Sequence, residues 1–359
     1  MLTTRTLNRT LLARQMLLER HDLPPDRAIE KLVGLQAQAT TSPYVALWSR
    51  LTAFDADQVG AMLVDRTAVR TTLMRGTLHL VTARDCVRLR PVLQPMLART
   101  ATANFGKELV GVGLEELVDA ARPLLDAAPM TTAQLATALA ERWPENGNRR
   151  LGTVLPFLVP MVQVPPRGVF RKSGSPLNAL ASTWLGVEIP SSADADGAVL
   201  RYLAAFGPAT VADVTAWSRL TGVRAVVKRL SLHTYRDEAG RELVDVPDGV
   251  LVDPETPAPP RFLPEFDNVL LSHAERGRIM SEDARKRWGG VANGVFPASF
   301  LVDGFLEGTW KVENGVLAVA PYRKLSKRDR SALAQEGLEL LKFLAPGADH
   351  DVRFVDQAG

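Results

Sequence analysis

The chain has 359 residues, 46% of them apolar and 23% charged, with a formal net charge of +3 and one cysteine, Cys86. That length suits two to four domains with real cores, while charges interrupt every apolar run before it reaches a membrane span and the first residues lack the apolar stretch of a signal peptide. One cysteine excludes an internal disulfide framework, and the scattered His21, His79, His233, His273 and His350 form no CxxC or HExxH pattern, so the expectation is a cytoplasmic protein without metal or other cofactor.

In chain order, Leu7, Leu11, Leu12, Met16 and Leu17 fall at helical spacing, and Pro24 and Pro25 separate them from a second helix over 27–35. Helices are expected over 42–51 and 55–65, and two short strands over 68–81 that turn near Gly76. The outline then repeats: a helix over 114–125, a threonine-capped segment from Met130, a helix from Arg149, and two strands over 162–171 joined by Pro165-Pro166-Arg167-Gly168. It recurs as 197–206, 207–218, a helix over 223–230, and strands within 232–246 around Glu238-Ala239-Gly240.

These elements predict an α+β, mainly helical fold with three tandem winged-helix units, over 1–100, 101–190 and 191–255. Past a Pro-rich linker at 252–261, a C-terminal α+β domain over 256–359 is expected. Its small antiparallel sheet spans 291–321, with turns at Asp303-Gly304, Glu307-Gly308 and Asn314-Gly315. A helix over 329–344 and a last strand over 352–355 complete it.

Charge is unevenly spread. Residues 1–100 hold 14 Lys/Arg against 8 Asp/Glu, a local +6 that leaves −3 on the other 259 residues. Within this basic part Gln36 and Gln38 flank Ala37 where an apolar helix breaks ahead of Thr40, Thr41, Ser42 and Pro43. In an extended segment residues i and i+2 face the same side, so both amides can serve one cavity; in a helix they diverge by roughly 200°. Taken alone, such a pair more often caps backbone groups or sits on the surface. No carboxylate pair among Asp65, Asp85 and Asp267 has the spacing of an acid/base dyad, and neither a Gly-rich phosphate loop nor a recognisable Ser-His-Asp arrangement is present.

Five stretches in register resemble one family. They are 7–15, Gly34-Leu-Gln-Ala-Gln38 with Ser42-Pro-Tyr44, Arg75-Gly-Thr-Leu-His-Leu-Val81, Leu263-Pro-Glu-Phe-Asp-Asn-Val-Leu-Leu-Ser-His273, and Phe305-Leu-Glu-Gly-Thr-Trp-Lys311. The family is the winged-helix DNA glycosylases typified by AlkZ and its bacterial relative YcaQ. The resemblance implies three winged-helix motifs, a small β-containing C-terminal element, and hydrolysis of the N-glycosidic bond of N7-alkylated purines, including bulky adducts and interstrand crosslinks. It also implies that the catalytic element is Gln36 with Gln38, because YcaQ-like members carry Asp at the second position. AlkZ-like members often protect producers of DNA-alkylating natural products.

The chemistry is consistent with two amides. N7 alkylation makes the purine a cationic leaving group that departs without a general acid, so placing a water at C1′ and stabilising an oxocarbenium-like sugar suffice. Candidate contacts to phosphate or lesion are Arg70, Arg75 and His79 in the first wing, then Asp267, His273, Arg276 and Arg278, then Trp310 and Lys311. The ordinary alternatives are Arg70 and Arg75 solvated, His79 packed in its hairpin, Asp267 and His273 holding a loop, and Trp310 in a core. The expected partner is double-stranded DNA containing an alkylated purine, bound by a monomer without membrane association. A non-catalytic winged-helix regulator or drug-sequestering protein is the competing reading.

Overall fold

The computed structural model describes residues 1–146, 148–288, 294 and 296–356, with backbone alone at 148 and 149. Helix α1 (Thr4–Arg14) starts where the Thr3 side chain accepts from the Thr6 amide, and it buries Leu7, Leu11 and Leu12. Helix α2 (Pro25–Lys31) opens on a proline, whose missing N–H has no intrahelical partner to lose there. Strand β1 (Leu35–Gln36), α3 (Ser42–Trp48) and α4 (Ala56–Val64, capped by Asp55) follow. Strands β2 (Ala68–Thr72) and β3 (Leu78–Thr82) are joined by a tight turn at Met74–Gly76.

Helix α5 (Ala83–Phe105) spans 23 residues and has no counterpart in the sequence reading. Pro91 and Pro95 lie inside it, each removing a backbone donor and so erasing the local helix signal. The buried stripe Cys86, Leu89, Leu93, Met96 and Leu97 holds it against the core nonetheless.

Next come α6 (Leu114–Ala127), β4 (Met130–Thr131), α7 (Thr132–Ala140), α8 (Asn148–Leu158), β5 (Met161–Gln163), β6 (Leu177–Leu180) and α9 (Ala181–Leu185). A reciprocal capping box between Thr131 and Gln134 starts α7. The hairpin expected over 162–171 is replaced: β5 pairs with β6, and 164–176 run between them as a loop. Pro165 and Pro166 have no N–H to give a ladder. Phe170 instead leaves the sheet and packs on Tyr44, ring centroids 4.9 Å apart. The six strands form one antiparallel sheet, ordered β1-β3-β2-β5-β6-β4, so strands on both sides of residue 100 share it.

Helices α10 (Ala195–Phe206), α11 (Val211–Ser218) and α12 (Val223–Arg229) precede a two-stranded hairpin, β7 (His233–Arg236) with β8 (Glu242–Asp245), close to the expected positions.

The last part holds β9 (Arg261–Leu263), α13 (Asn268–Leu271), α14 (Glu282–Trp288), β10 (Ser299–Val302), β11 (Phe305–Glu313), β12 (Val316–Pro321), α15 (Lys327–Leu344) and β13 (Asp351–Phe354). Residue 291, where the strand run was expected to open, lies outside the described residues. The sheet order is β13-β12-β11-β10-β9, and β13 joins β12 in parallel because α15 carries the chain back along the sheet. The antiparallel pairing expected within 291–321 holds for β10, β11 and β12, and β13 adds a parallel pair at the edge.

Asp303-Gly304 and Asn314-Gly315 do form turns, with φ of 47° and 79°, then 51° and 78°. Glu307-Gly308 does not; it lies inside β11, where a Cβ on Gly308 would stand 2.5 Å from the Phe300 ring. Close packing, not a turn, requires that glycine. The chain is thus a mixed helical and β structure dominated by antiparallel pairing, and no described helix is long and apolar enough to cross a membrane.

Candidate active site

Strand β1 lies at the edge of the six-stranded sheet, with Leu35 opposite Leu80 and Gln36 opposite His79 on β3. Leu35, Ala37 and Leu80 belong to the core under α2, α3 and α4. Alternation therefore turns Gln36 to the other face, the one that carries Val81 and α5. The Ala37 amide extends the ladder to Leu78 O at 2.7 Å, and the chain bends at Gln38, where helix was not expected to continue. Gln36 is 6% exposed, whereas Gln38 lies open to solvent.

Three donors grip this short segment. Arg75 Nη2 donates to Gln36 Oε1 at 2.7 Å, Arg70 Nη2 donates to the Ala37 carbonyl at 2.8 Å, and the Leu78 amide donates to Gln38 Oε1 at 3.0 Å. Arg70 is buried, and Gly168 lies so close that a Cβ there would meet Arg70 Cδ at 2.5 Å. Burial lowers the Arg70 guanidinium to about 10, aided by Arg167. Two of the four arginines expected to meet DNA, Arg70 and Arg75, are thus turned onto the glutamine segment.

Arg75 Nη2 also donates to Asn268 Oδ1 at 2.9 Å, and Asn268 Nδ2 donates to Gly34 O at 3.0 Å. Burial lowers Arg75 to about 10, with Arg219 and Arg276 contributing repulsion, and it stays charged at neutral pH. Among the described residues no carboxylate pairs with Arg75 and none hydrogen-bonds either glutamine.

His79 has no exposed surface, so it packs in its hairpin and is out of reach of a phosphate. Nδ1 faces Thr77 O at 2.9 Å, and Nε2 is buried without a partner. Burial, then Arg75, lower its pKa to about 3, so the ring is neutral.

Asp267 is also removed from any cleft. It pairs with buried Arg50 at 3.0 and 2.9 Å and caps α13 by accepting from Val269 N, which fixes Asn268 in place. His273 is buried against Phe206 O at 3.0 Å, and burial with Arg278 holds its pKa low despite Asp213. Burial raises the Asp213 carboxyl, yet His273 and Arg278 outweigh it and leave it below the usual range. Arg278 is buried too, donating to Pro208 O at 2.8 Å. Arg276 is half-buried and stands over the Trp288 ring at 5.6 Å.

Trp310 is half-buried on β11 and donates to Leu263 O at 2.9 Å; Lys311 is exposed and pairs with Glu313 at 2.9 Å. Both line a cavity of about 710 Å³ with Thr41 and Ser42, which follow the glutamines, and half-buried Glu265, whose carboxyl burial pushes upward. Asn268 lies within the stretch 263–273 but is not among the candidate residues that the sequence offers. One signal was available: Asn268 directly follows a capping aspartate and is polar ahead of the apolar run 269–271.

This chain is 25% identical over 359 aligned residues to the "Interstrand DNA cross-link repair glycosylase" of Streptomyces sahachiroi, covering 92% of this chain and 93% of that protein. Its fold matches the solved structure of Streptomyces sahachiroi DNA glycosylase AlkZ with a TM-score of 0.81 at 21% identity, over 99% of this chain and 100% of the other. The model of the family described as DNA glycosylase AlkZ-like matches residues 29–343, most of the length, and the chain therefore belongs to the AlkZ-like DNA glycosylase family.

Proposed function

We propose that this protein is a monofunctional DNA glycosylase that hydrolyses the N-glycosidic bond of N7-alkylated purines, including bulky adducts and interstrand crosslinks, in repair or in resistance to a DNA-alkylating antibiotic. The observation that carries the reading is the edge segment Gln36-Ala37-Gln38, gripped by Arg75, Arg70 and the Leu78 amide. The relative named for crosslink repair supports the choice of bulky substrates.

In this reading the cationic purine leaves without protonation, and the two amides share a water near C1′. Both amides keep hydrogen-bonding capacity beyond their contacts to Arg75 and the Leu78 amide, so a single water can be held between the pair. An electron-poor sugar forms before attack, so positioning replaces a strong base. Half-buried Arg276 and Trp310 and exposed Lys311 are then the residues that meet DNA, whereas Arg70, His79, Asp267, His273 and Arg278 are buried. The proposed organisation keeps three winged-helix units, over 1–100, 101–190 and 191–255, ahead of the C-terminal α+β part, working as a monomer on one lesion.

The test is incubation of wild type and the Gln36→Ala/Gln38→Ala double variant with duplex DNA carrying N7-methylguanine or a bulkier N7 adduct, scored as abasic sites. Release by wild type and loss by at least about 100-fold in the variant is expected. Equal release would remove the glutamines from the mechanism, and binding without release from any adduct would leave a non-catalytic DNA-binding protein.

A further inference from the structure

We infer that Arg75 and Asn268 are positioning residues that fix the polarity of the Gln36 amide, so that Gln36 meets the reaction as a hydrogen-bond donor. The inference deepens the proposed glycosylase reading and rests on it for its catalytic part. An arginine can only donate. The Gln36 atom 2.7 Å from Arg75 Nη2 is therefore the carbonyl oxygen, and the amide nitrogen points away. That nitrogen has no partner among the described residues, and it is not one of the buried polar atoms without one, so it keeps some surface open to solvent.

The arrangement is closed on itself. Asn268 Nδ2 donates to a backbone carbonyl, Gly34 O, which leaves Oδ1 for Arg75 and sets the orientation of a second amide. The relay runs from Gly34 through Asn268 and Arg75 back to Gln36, two residues further along the same segment. Its far end is anchored by the buried Arg50–Asp267 pair at the start of α13. Its near end needs an arginine at φ 58° in the turn between β2 and β3, a left-handed conformation that ordinary side chains seldom adopt.

Charge adds to geometry. A guanidinium on the amide oxygen draws electron density from the nitrogen and strengthens its N–H groups as donors. No carboxylate neutralises that guanidinium among the described residues, and its Nη1 is buried without a partner. Gln36 thereby anchors a water through one of that water's lone pairs, leaving the second lone pair for C1′, while the free lone pair on Gln38 Oε1 accepts a hydrogen bond from the water, whose proton passes to solvent once the C1′–O bond has formed and the purine has left.

Gln36→Glu separates this from the opposite polarity, because a carboxylate keeps the contact to Arg75 but turns an acceptor outward. Single-turnover release of N7-methylguanine is expected to fall about 100-fold, as in Gln36→Ala. Retention of a third or more of wild-type activity would overturn the donor assignment. Asn268→Ala, at a residue whose two side-chain polar atoms are already engaged by Gly34 O and Arg75, is expected to lower kcat about 10-fold with KM unchanged. Asn268→Leu serves if the alanine variant does not fold.

A raised KM at constant kcat, or no change at all, would overturn the relay. A readout independent of activity is the Gln36 side-chain amide pair in ¹⁵N spectra, assigned by its loss in Gln36→Ala. It is expected to shift in both the Asn268 variant and Arg75→Lys. An unmoved signal overturns the positioning role. A shifted signal in a protein that releases no base keeps the relay and rejects the glycosylase reading.

Discussion

Two groups of buried or half-buried arginines contrast within the molecule. Around α1, α3 and the C-terminal part, Arg14, Arg50 and Arg9 each meet a carboxylate: Asp245 at 2.7 Å, Asp267 at 2.9 Å, and Asp303. Around the β2–β3 hairpin, Arg70, Arg75 and Arg90 meet none among the described residues and donate to neutral oxygens instead: Ala37 O, Gln36 Oε1, and Thr72 O with Gln94 Oε1. Burial holds all three of this second group near 10. The first group joins distant segments. The second places uncompensated positive charge beneath the glutamines, where two of its members, Arg70 and Arg75, orient them, a cost that stability alone does not explain.

Breaking a paired arginine gives the largest effect. Asp267→Ala leaves Arg50 charged and buried, and is expected to destabilise by about 3–5 kcal/mol in urea unfolding. A loss under about 1 kcal/mol would mean that the pair does not secure α13.

Acid is the next lever. His79 is held near 3 in the folded chain, below its unfolded value of 6.5, so between these values the unfolded chain binds the extra proton. Its contribution to stability is complete above about pH 6.5 and declines as pH falls, by up to about 1.4 kcal/mol per pH unit. His273 is lowered in the same sense, and lowered Asp213 also favours the folded state less in acid. Thermal unfolding between pH 7 and 5 is expected to show a falling midpoint, and His79→Leu to flatten the slope.

The smallest effect sharpens the contrast. Arg90→Met removes a buried charge that has no carboxylate, and is expected to change stability by less than about 1 kcal/mol in either direction. A loss as large as that of Asp267→Ala would erase the distinction between the two groups.

Much of the fold was legible because local signals agreed: the leucine stripe of α1, the capping Asp55, and the Asp303-Gly304 and Asn314-Gly315 turns. Where they misled, other forces won. Two prolines hid α5, whose stripe is secured by tertiary burial, and Phe170 found a ring on α3 in place of a ladder partner. Gly308 looked like a turn residue but makes room for Phe300.

At the site, the glutamines were legible from their spacing, yet the roles of the arginines were not. Whether Arg70 and Arg75 point outward to phosphate or inward to amides depends on partners such as Asn268, 193 residues away from Arg75. No spacing rule joins such positions.

The central claim is that the Gln36-Ala37-Gln38 segment cuts the glycosidic bond. Its most direct test is the single-turnover rate of N7-methylguanine release at saturating enzyme, for wild type, Gln36→Ala and Gln38→Ala, with DNA affinity and unfolding midpoint measured alongside. The account predicts that each variant binds and folds like wild type while the rate falls by about 100-fold or more. Rates within a few-fold of wild type in both variants would contradict it.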